Sequence, residues 1–143
     1  MIQEYITDIC KLLKIKEPSI SYDTSNFTTD TMMAQCDSHG TTIYLNKIEK
    51  PNPDYMFAIA HELRHVWQIK TNKHLYFSSY KPVNLCSSIE EYNLQLAEVD
   101  ANAFAAIIII DWFHLQPQWN GLSENVIYAI ENRINTIIHS PMQ

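Results

Sequence analysis

Residues 97–110 read AEVDANAFAAIIII, a stretch apolar on almost every side of a helix and broken only by Glu98, Asp100 and Asn102. A helix without a solvent face belongs in the middle of a core, with other elements packed around it. The uninterrupted apolar part, Ala103 to Ile110, is far short of the ~20 residues needed to cross a bilayer. An ionised carboxylate in such surroundings is stranded unless it is paired or bound to a metal. The chain must therefore build a fold around this helix and supply partners for its acids.

The flanking sequence predicts the remaining elements. Ile2, Tyr5, Ile6, Ile9, Leu12 and Leu13 recur at helical spacing, with Pro18 as a stop, so the chain opens with an amphipathic helix. Residues 19–46 turn to Ser, Thr and Tyr. Within them Thr41–Leu45 is the clearest strand, and the turn Asp37-Ser38-His39-Gly40 joins it to a second strand near Met32 to Cys36. A small antiparallel sheet is expected there. Asn52-Pro53-Asp54 then supplies a cap, a first-turn proline and an early acid for a helix whose apolar series is Met56, Ile59, Ala60, Leu63, Val66 and Trp67. Residues 71–86 read as a loop. Ser87 and Ser88, with Glu90 and Glu91 three residues on, form overlapping capping boxes for one long helix reaching about Phe113. A last helix spans Ser123 to Ile138, and the tail from about residue 139 is expected to fray. The expected fold class is α+β.

The 143 residues fit a single domain. A formal charge of −6 argues against nucleic acid and anionic membrane as partners, which require clustered Lys and Arg. Cys10, Cys36 and Cys86 are too few and too odd in number for a disulfide framework, and Glu4 and Asp8 interrupt any leader-like opening, so a reduced, cytoplasmic setting is expected. Two glycines leave no phosphate-cradling loop.

The residues that carry chemistry are His61-Glu62-Leu63-Arg64-His65. Residues four apart on a helix share a side, so His61 and His65 can present two imidazole nitrogens to one zinc ion. Glu62, beside the first ligand, is placed to take a proton from water as general base. At ~100° per residue the apolar arc centres on Ile59 and Leu63, and both histidines lie opposite it with Ala58, facing a cleft rather than the main core. With six histidines in the chain, the pattern would arise by chance in roughly one such sequence in a hundred. Its helical setting lowers those odds further.

Glu98 is the first candidate for a third ligand, on a stripe with Leu94, Ala101, Ala105 and Ile109. Asn102, one turn on, is positioned to hydrogen-bond a ligand. Asp100 is the rival ligand, aligned with Asn93 and Asp111 on the more polar side of the helix. For either acid the plain structural alternative is a buried salt bridge with Arg64 or Arg133. His74, Tyr76, Tyr80, Tyr92 and His114 are candidates for stabilising an oxyanion near the metal. An exposed edge on strand Thr41–Leu45 would suit an extended protein or peptide substrate bound by strand addition, unless both its edges are covered.

The segments TIYLN, FAIAHELRHVWQ and AEVDANAFAAIII together resemble the ImmA/IrrE-like zinc metallopeptidases and, more loosely, other gluzincins, over about residues 40–113. The resemblance implies a minimal zincin fold: an N-terminal helix, a small sheet, the HExxH helix and a second buried helix carrying the third ligand. It implies one zinc bound by His61, His65 and Glu98, Glu62 as the base, Asn102 in support, and hydrolysis of a peptide bond in an intracellular protein. Arg64 departs from the glycine usual at its position and puts a long charged side chain beside the second ligand. No helix-turn-helix or sensor segment accompanies the motif, so repressor cleavage is not implied. Two other readings remain: a non-catalytic module of the same fold that holds a protein partner, and a helical interaction protein in which the motif is accidental.

Overall fold

A computed structural model describes residues 1–140, and residues 141–143 lie outside the described residues. The described residues form an α+β fold of five α-helices, one short 3-10 helix and a three-stranded mixed sheet. No helix among them is long and apolar enough to cross a membrane.

Helix α1 (Ile2–Leu13) buries Tyr5, Ile6, Ile9, Cys10 and Leu13, and ends at Lys14 in the left-handed region (φ 58°). The sheet holds β1 (Ser19–Ser21), β2 (Ala34–Cys36) and β3 (Thr42–Leu45) in the order β1-β3-β2. The hairpin β2–β3 is antiparallel, as its turn predicts. Asp37 organises that turn, its Oδ1 accepting from the backbone N–H of Thr41 and Thr42, and Gly40 supplies the positive φ of 70°.

Strand β1, by contrast, pairs with β3 in parallel, so the sheet is mixed rather than antiparallel. The parallel partner is only three residues long and over twenty residues from β3, which leaves no local pattern to read. Its presence makes β3 the central strand, covered on both edges. Strand addition along Thr41–Leu45 is thereby ruled out, because its backbone groups are already paired.

Helix α2 (Pro53–Phe77) starts at the expected cap, with Asn52 Oδ1 accepting from Tyr55 N–H at 2.9 Å. It runs past the expected loop boundary at residue 71. Asn72 is non-helical (φ −158°, ψ 68°), and its side chain accepts from Leu75 N–H at 3.1 Å, so a second short helical segment is capped directly onto the first. A 3-10 turn over Val83–Leu85 follows.

The single long helix expected from Ser88 to Phe113 is instead two. Helix α3 (Ile89–Asn93) is capped by Ser88, and α4 (Leu96–Phe113) begins after Gln95, whose backbone is extended (ψ 143°). The Gln95 side chain clamps the preceding loop, accepting from Lys81 N–H and donating to Lys81 C=O. Those two bonds offset the helical hydrogen bonds lost at the break. Helix α5 (Glu124–Ile138) is capped by Ser123, and His139 and Ser140 continue its hydrogen bonding rather than fraying.

Helix α4 is apolar all round because it lies between two cores. Phe104, Ala105, Ile108 and Ile109 join the main core with α1, α2 and the sheet. Val99 and Ala103 face the opposite way, against Val126 and Ile130 of α5. Ile108 is 1% exposed, and its truncation to Ala would cost about 2–5 kcal/mol. Pressed against α2 along most of its length, α4 carries its first-turn acids onto the histidine face of α2.

Candidate metal centre

His61 and His65 project from α2 towards Glu98 on α4. His61 Nε2 lies 3.1 Å from His65 Nε2 and 3.2 Å from Glu98 Oε1, and His65 Nε2 lies 3.1 Å from Glu98 Oε2. Around a tetrahedral ion with bonds of ~2.0–2.1 Å, neighbouring donor atoms stand about 3.3 Å apart. The two Nε2 atoms stand close to that spacing, each beside a different oxygen of Glu98, and the three side chains form a group able to hold a metal ion.

The other face of each imidazole decides which nitrogen is available. His65 Nδ1 is 2.8 Å from Gln68 Oε1. Gln68 Nε2 donates to Ala97 C=O at 2.9 Å and to Asp100 Oδ2 at 2.8 Å, so two acceptors fix the orientation of the amide. Its oxygen must then accept from His65 Nδ1–H, which leaves Nε2 as a bare lone pair. Asn102 Oδ1 lies 2.8 Å from His61 Nδ1 and acts on that ring in the same way. Two imidazole lone pairs and a carboxylate converging within 3.2 Å repel one another unless a cation sits among them.

Burial opposes ionisation of Glu98, but the adjacent imidazoles outweigh it and hold the carboxyl well below the usual range. Burial likewise works against a charge on His65, yet the Glu98 carboxylate raises it to about 9. Without metal, a proton on His65 serves as the compensating cation. Phe57 stacks on His61 and Phe77 packs edge-on against His65, restricting both rings. His65 itself is buried, so the histidine face is roofed by α4 and the end of α2 rather than lying in an open cleft.

Glu62 stands at the rim, its side chain 16% exposed and its Oε2 3.8 Å from His61 Nε2. Its Oε1 accepts from Cys36 N–H at 2.9 Å. Residues 33 and 37 direct their backbone bonds to β3, so by the alternation of an antiparallel pair residues 34 and 36 turn theirs outward. The outer edge of β2 therefore faces Glu62. Burial, reinforced by the neighbouring Glu62, pushes the Cys36 thiol far up, which keeps it neutral.

The two acids of α4 have separate duties. Asp100, the rival ligand, is fully buried rather than on a polar side. It takes Arg64 Nε at 2.7 Å, Arg64 Nη2 at 3.0 Å and Arg133 Nε at 2.8 Å, besides Gln68. This is the salt bridge foreseen as the alternative for either acid, with both arginines engaged. Arg64 accordingly does not line the cleft beside the second ligand: it turns inward, 7% exposed, with its guanidinium 3.7 Å over the Trp67 ring.

Of the oxyanion candidates, Tyr80 and Tyr92 reach the site. Tyr80 O–H donates to Glu98 Oε2 at 2.8 Å and stands 3.0 Å from Tyr92 O–H, which must be the donor in that pair. Burial, reinforced by the charge of Glu98, pushes both phenols up, so both remain donors. Tyr76 belongs to the arginine cluster, its oxygen 3.4 Å from Arg133 Nη2. His74 and His114 are exposed.

Gln68, Phe57 and the Cys36 amide are site components that sequence reasoning missed. Gln68 had a signal: it follows His65 by three residues and His61 by seven, on the same helical face. Comparisons of the chain with known protein families, curated proteins and solved structures return no match.

Proposed function

We propose that this chain is a zinc-dependent endopeptidase that hydrolyses a peptide bond in a protein substrate, with His61, His65 and Glu98 holding the metal and Glu62 as general base. The observation that carries this reading is the convergence of two oriented Nε2 atoms and a buried carboxylate, each nitrogen within 3.2 Å of one of its oxygens. The placement of Glu62 extends it from metal binding to catalysis, since a purely structural site has no use for a partly exposed carboxylate beside the first ligand. The motif resemblance to ImmA/IrrE-like metallopeptidases and a zincin fold are part of the same proposal.

Zinc at this position supplies Lewis acidity, lowering the pKa of water and polarising the scissile carbonyl. Glu62 takes the water proton at its carboxylate and returns it to the leaving amine. Tyr80 keeps Glu98 in place through the 2.8 Å hydrogen bond that its O–H donates. With β3 covered, the strand edge that borders the site is the outer edge of β2, where the Cys36 N–H holds Glu62 in position.

The test is metal content by mass spectrometry of wild type, His61→Ala and Glu98→Ala, together with hydrolysis of a denatured protein substrate by wild type and Glu62→Gln. One zinc per chain in wild type, lost in both ligand variants, with cleavage abolished in Glu62→Gln, supports the reading. A wild type that takes no zinc after reconstitution removes it. Zinc without any hydrolysis leaves the site as part of a binding module.

A further inference from the structure

Residues 78–95 run from the end of α2 through the 3-10 turn and α3 to the start of α4, and none of them is buried. None joins the main core or the core between α4 and α5. This strap is closed at its feet by Gln95, whose amide accepts from Lys81 N–H and donates to Lys81 C=O. Its two tyrosines, Tyr80 and Tyr92, are joined at 3.0 Å. Among the described residues, the one side-chain hydrogen bond from the strap to the rest of the chain is Tyr80 O–H to Glu98 Oε2, at 2.8 Å.

That bond lands on the metal face. The same Glu98 oxygen lies 3.1 Å from His65 Nε2. The Tyr80 ring packs edge-on against Phe77, with centroids 5.0 Å apart, and Phe77 packs against His65. Tyr92 is close enough to Glu98 and Glu62 that, after burial, both charges raise its phenol. With the strap in place the side chains of Glu98 and His65 are 4% and 8% exposed, against 14% and 16% for His61 and Glu62 at the rim. A peptide laid across the face needs the Glu98 and His65 side uncovered as well as the rim. The other walls are α2, α4 and β2, each with residues in the main core, so the strap is the wall that moves at least cost.

We infer that residues 78–95 form a lid over the metal face, latched by Tyr80 on Glu98, and that its lifting governs the passage of zinc and of substrate to the Nε2 atoms. This inference rests on the assignment of His61, His65 and Glu98 as zinc ligands. Lids are drawn from segments with few buried apolar contacts. Lifting this one breaks a single side-chain hydrogen bond and the contact of Tyr80 with Phe77. The feet stay tied by Gln95, so the segment swings as a unit about Ser78–Ser79 and the extended backbone of Gln95.

The test follows zinc exchange in both directions. Metal-free protein is mixed with excess zinc, and free ions are trapped at timed intervals with a chromophoric chelator. Zinc-loaded protein is mixed with excess chelator to follow release. Wild type, Tyr80→Phe and Gln95→Leu are compared, with circular dichroism and zinc stoichiometry on the same samples. Loss of a hydrogen bond to a charged carboxylate is expected to raise uptake and release together in Tyr80→Phe, roughly 10- to 100-fold. Release rises more, because Glu98 also loses its support. Gln95→Leu, which leaves the latch intact, gives a smaller rise of the same sign in both rates.

A residue that only positions Glu98 gives a different pattern: its loss speeds release and leaves uptake unchanged or slower. That pattern, or equal rates in all three proteins, with one zinc per chain present, overturns the lid and leaves the metal centre standing. If Tyr80→Phe fails to fold, Gln95→Leu decides alone, and unchanged uptake in it overturns the lid. Failure of wild type to take zinc overturns both.

Discussion

Asp100→Asn separates the two acids of α4 most sharply. The native carboxylate is fully buried between two guanidinium groups, accepting from Arg64 at 2.7 and 3.0 Å, from Arg133 at 2.8 Å and from Gln68 at 2.8 Å. Asparagine keeps the shape but removes the charge and turns an amide donor towards arginine donors. Arg64 is 7% exposed and cannot reach water without leaving the Trp67 ring. Breaking one side of such a pair costs about 3–5 kcal/mol, most of it the penalty of the charge left behind. For a chain of 143 residues this corresponds to a thermal midpoint lower by about 10–20 °C. The assay is thermal unfolding followed by circular dichroism in excess chelator, which keeps metal binding out of the comparison. Well below its midpoint, the variant still takes one zinc on reconstitution, whereas Glu98→Gln does not. A midpoint within about 3 °C of wild type would refute the ion-pair argument, because even a single kilocalorie shifts it that far. Loss of zinc from Asp100→Asn with Glu98→Gln still loaded would reverse the assignment of the third ligand.

Gln68→Leu removes the acceptor that fixes His65 Nδ1–H, and zinc affinity measured by chelator competition is expected to fall about 10- to 100-fold; an unchanged affinity would remove Gln68 from the site. Tyr80→Phe deletes a hydrogen bond to a charged carboxylate, worth about 1.5–3 kcal/mol, so both apo stability and zinc affinity fall; if neither moves, the bond contributes nothing to holding Glu98. In metal-free protein His65 is raised from 6.5 to about 9, with the attraction of Glu98 exceeding the opposing effect of burial. A raised folded pKa stabilises fully below 6.5 and the contribution disappears as pH rises through about 9. The thermal midpoint in chelator should therefore drop across that window in wild type and stay flatter in His65→Gln, and zinc affinity should climb over the same window as the competing proton leaves.

The parts of this fold that were legible in the sequence are those written in short-range chemistry. Caps at Asn52, Ser88 and Ser123 fix the starts of three helices through single hydrogen bonds, and the Asp37–Gly40 turn fixes a hairpin. Glu98 was readable because an acid on an apolar helix requires a partner. The elements that were not legible depend on distant partners. Strand β1 exists only by pairing in parallel with β3, and the break at Gln95 exists because its amide finds both polar groups of Lys81. Asp100 looked polar-facing because its neighbours Asn93 and Asp111 were assumed to continue the same helix face. The helix breaks after Asn93, and α5 covers that face with Arg133.

Arg64 accounts for how both acids can be buried two residues apart. Glycine at that position would leave Asp100 with Arg133 and Gln68 alone, and Arg133 sits at the margin with its side chain 25% exposed. Arg64 instead reaches from the HExxH turn into the α2–α4 interface and neutralises Asp100 from the buried side. Asp100 then holds Gln68, and Gln68 holds His65. The arginine that looked like an obstruction of the cleft becomes a support for His65, at a distance, through its ion pair with Asp100 and two further hydrogen bonds. Charge balance follows the same division. Asp100 is satisfied by fixed arginines, whereas the two histidines offer Glu98 only a partner that must be supplied, either by a proton on His65 or by a cation held among the three. That asymmetry, more than the motif itself, makes the Glu98 side of the helix the candidate metal site and the Asp100 side its scaffold.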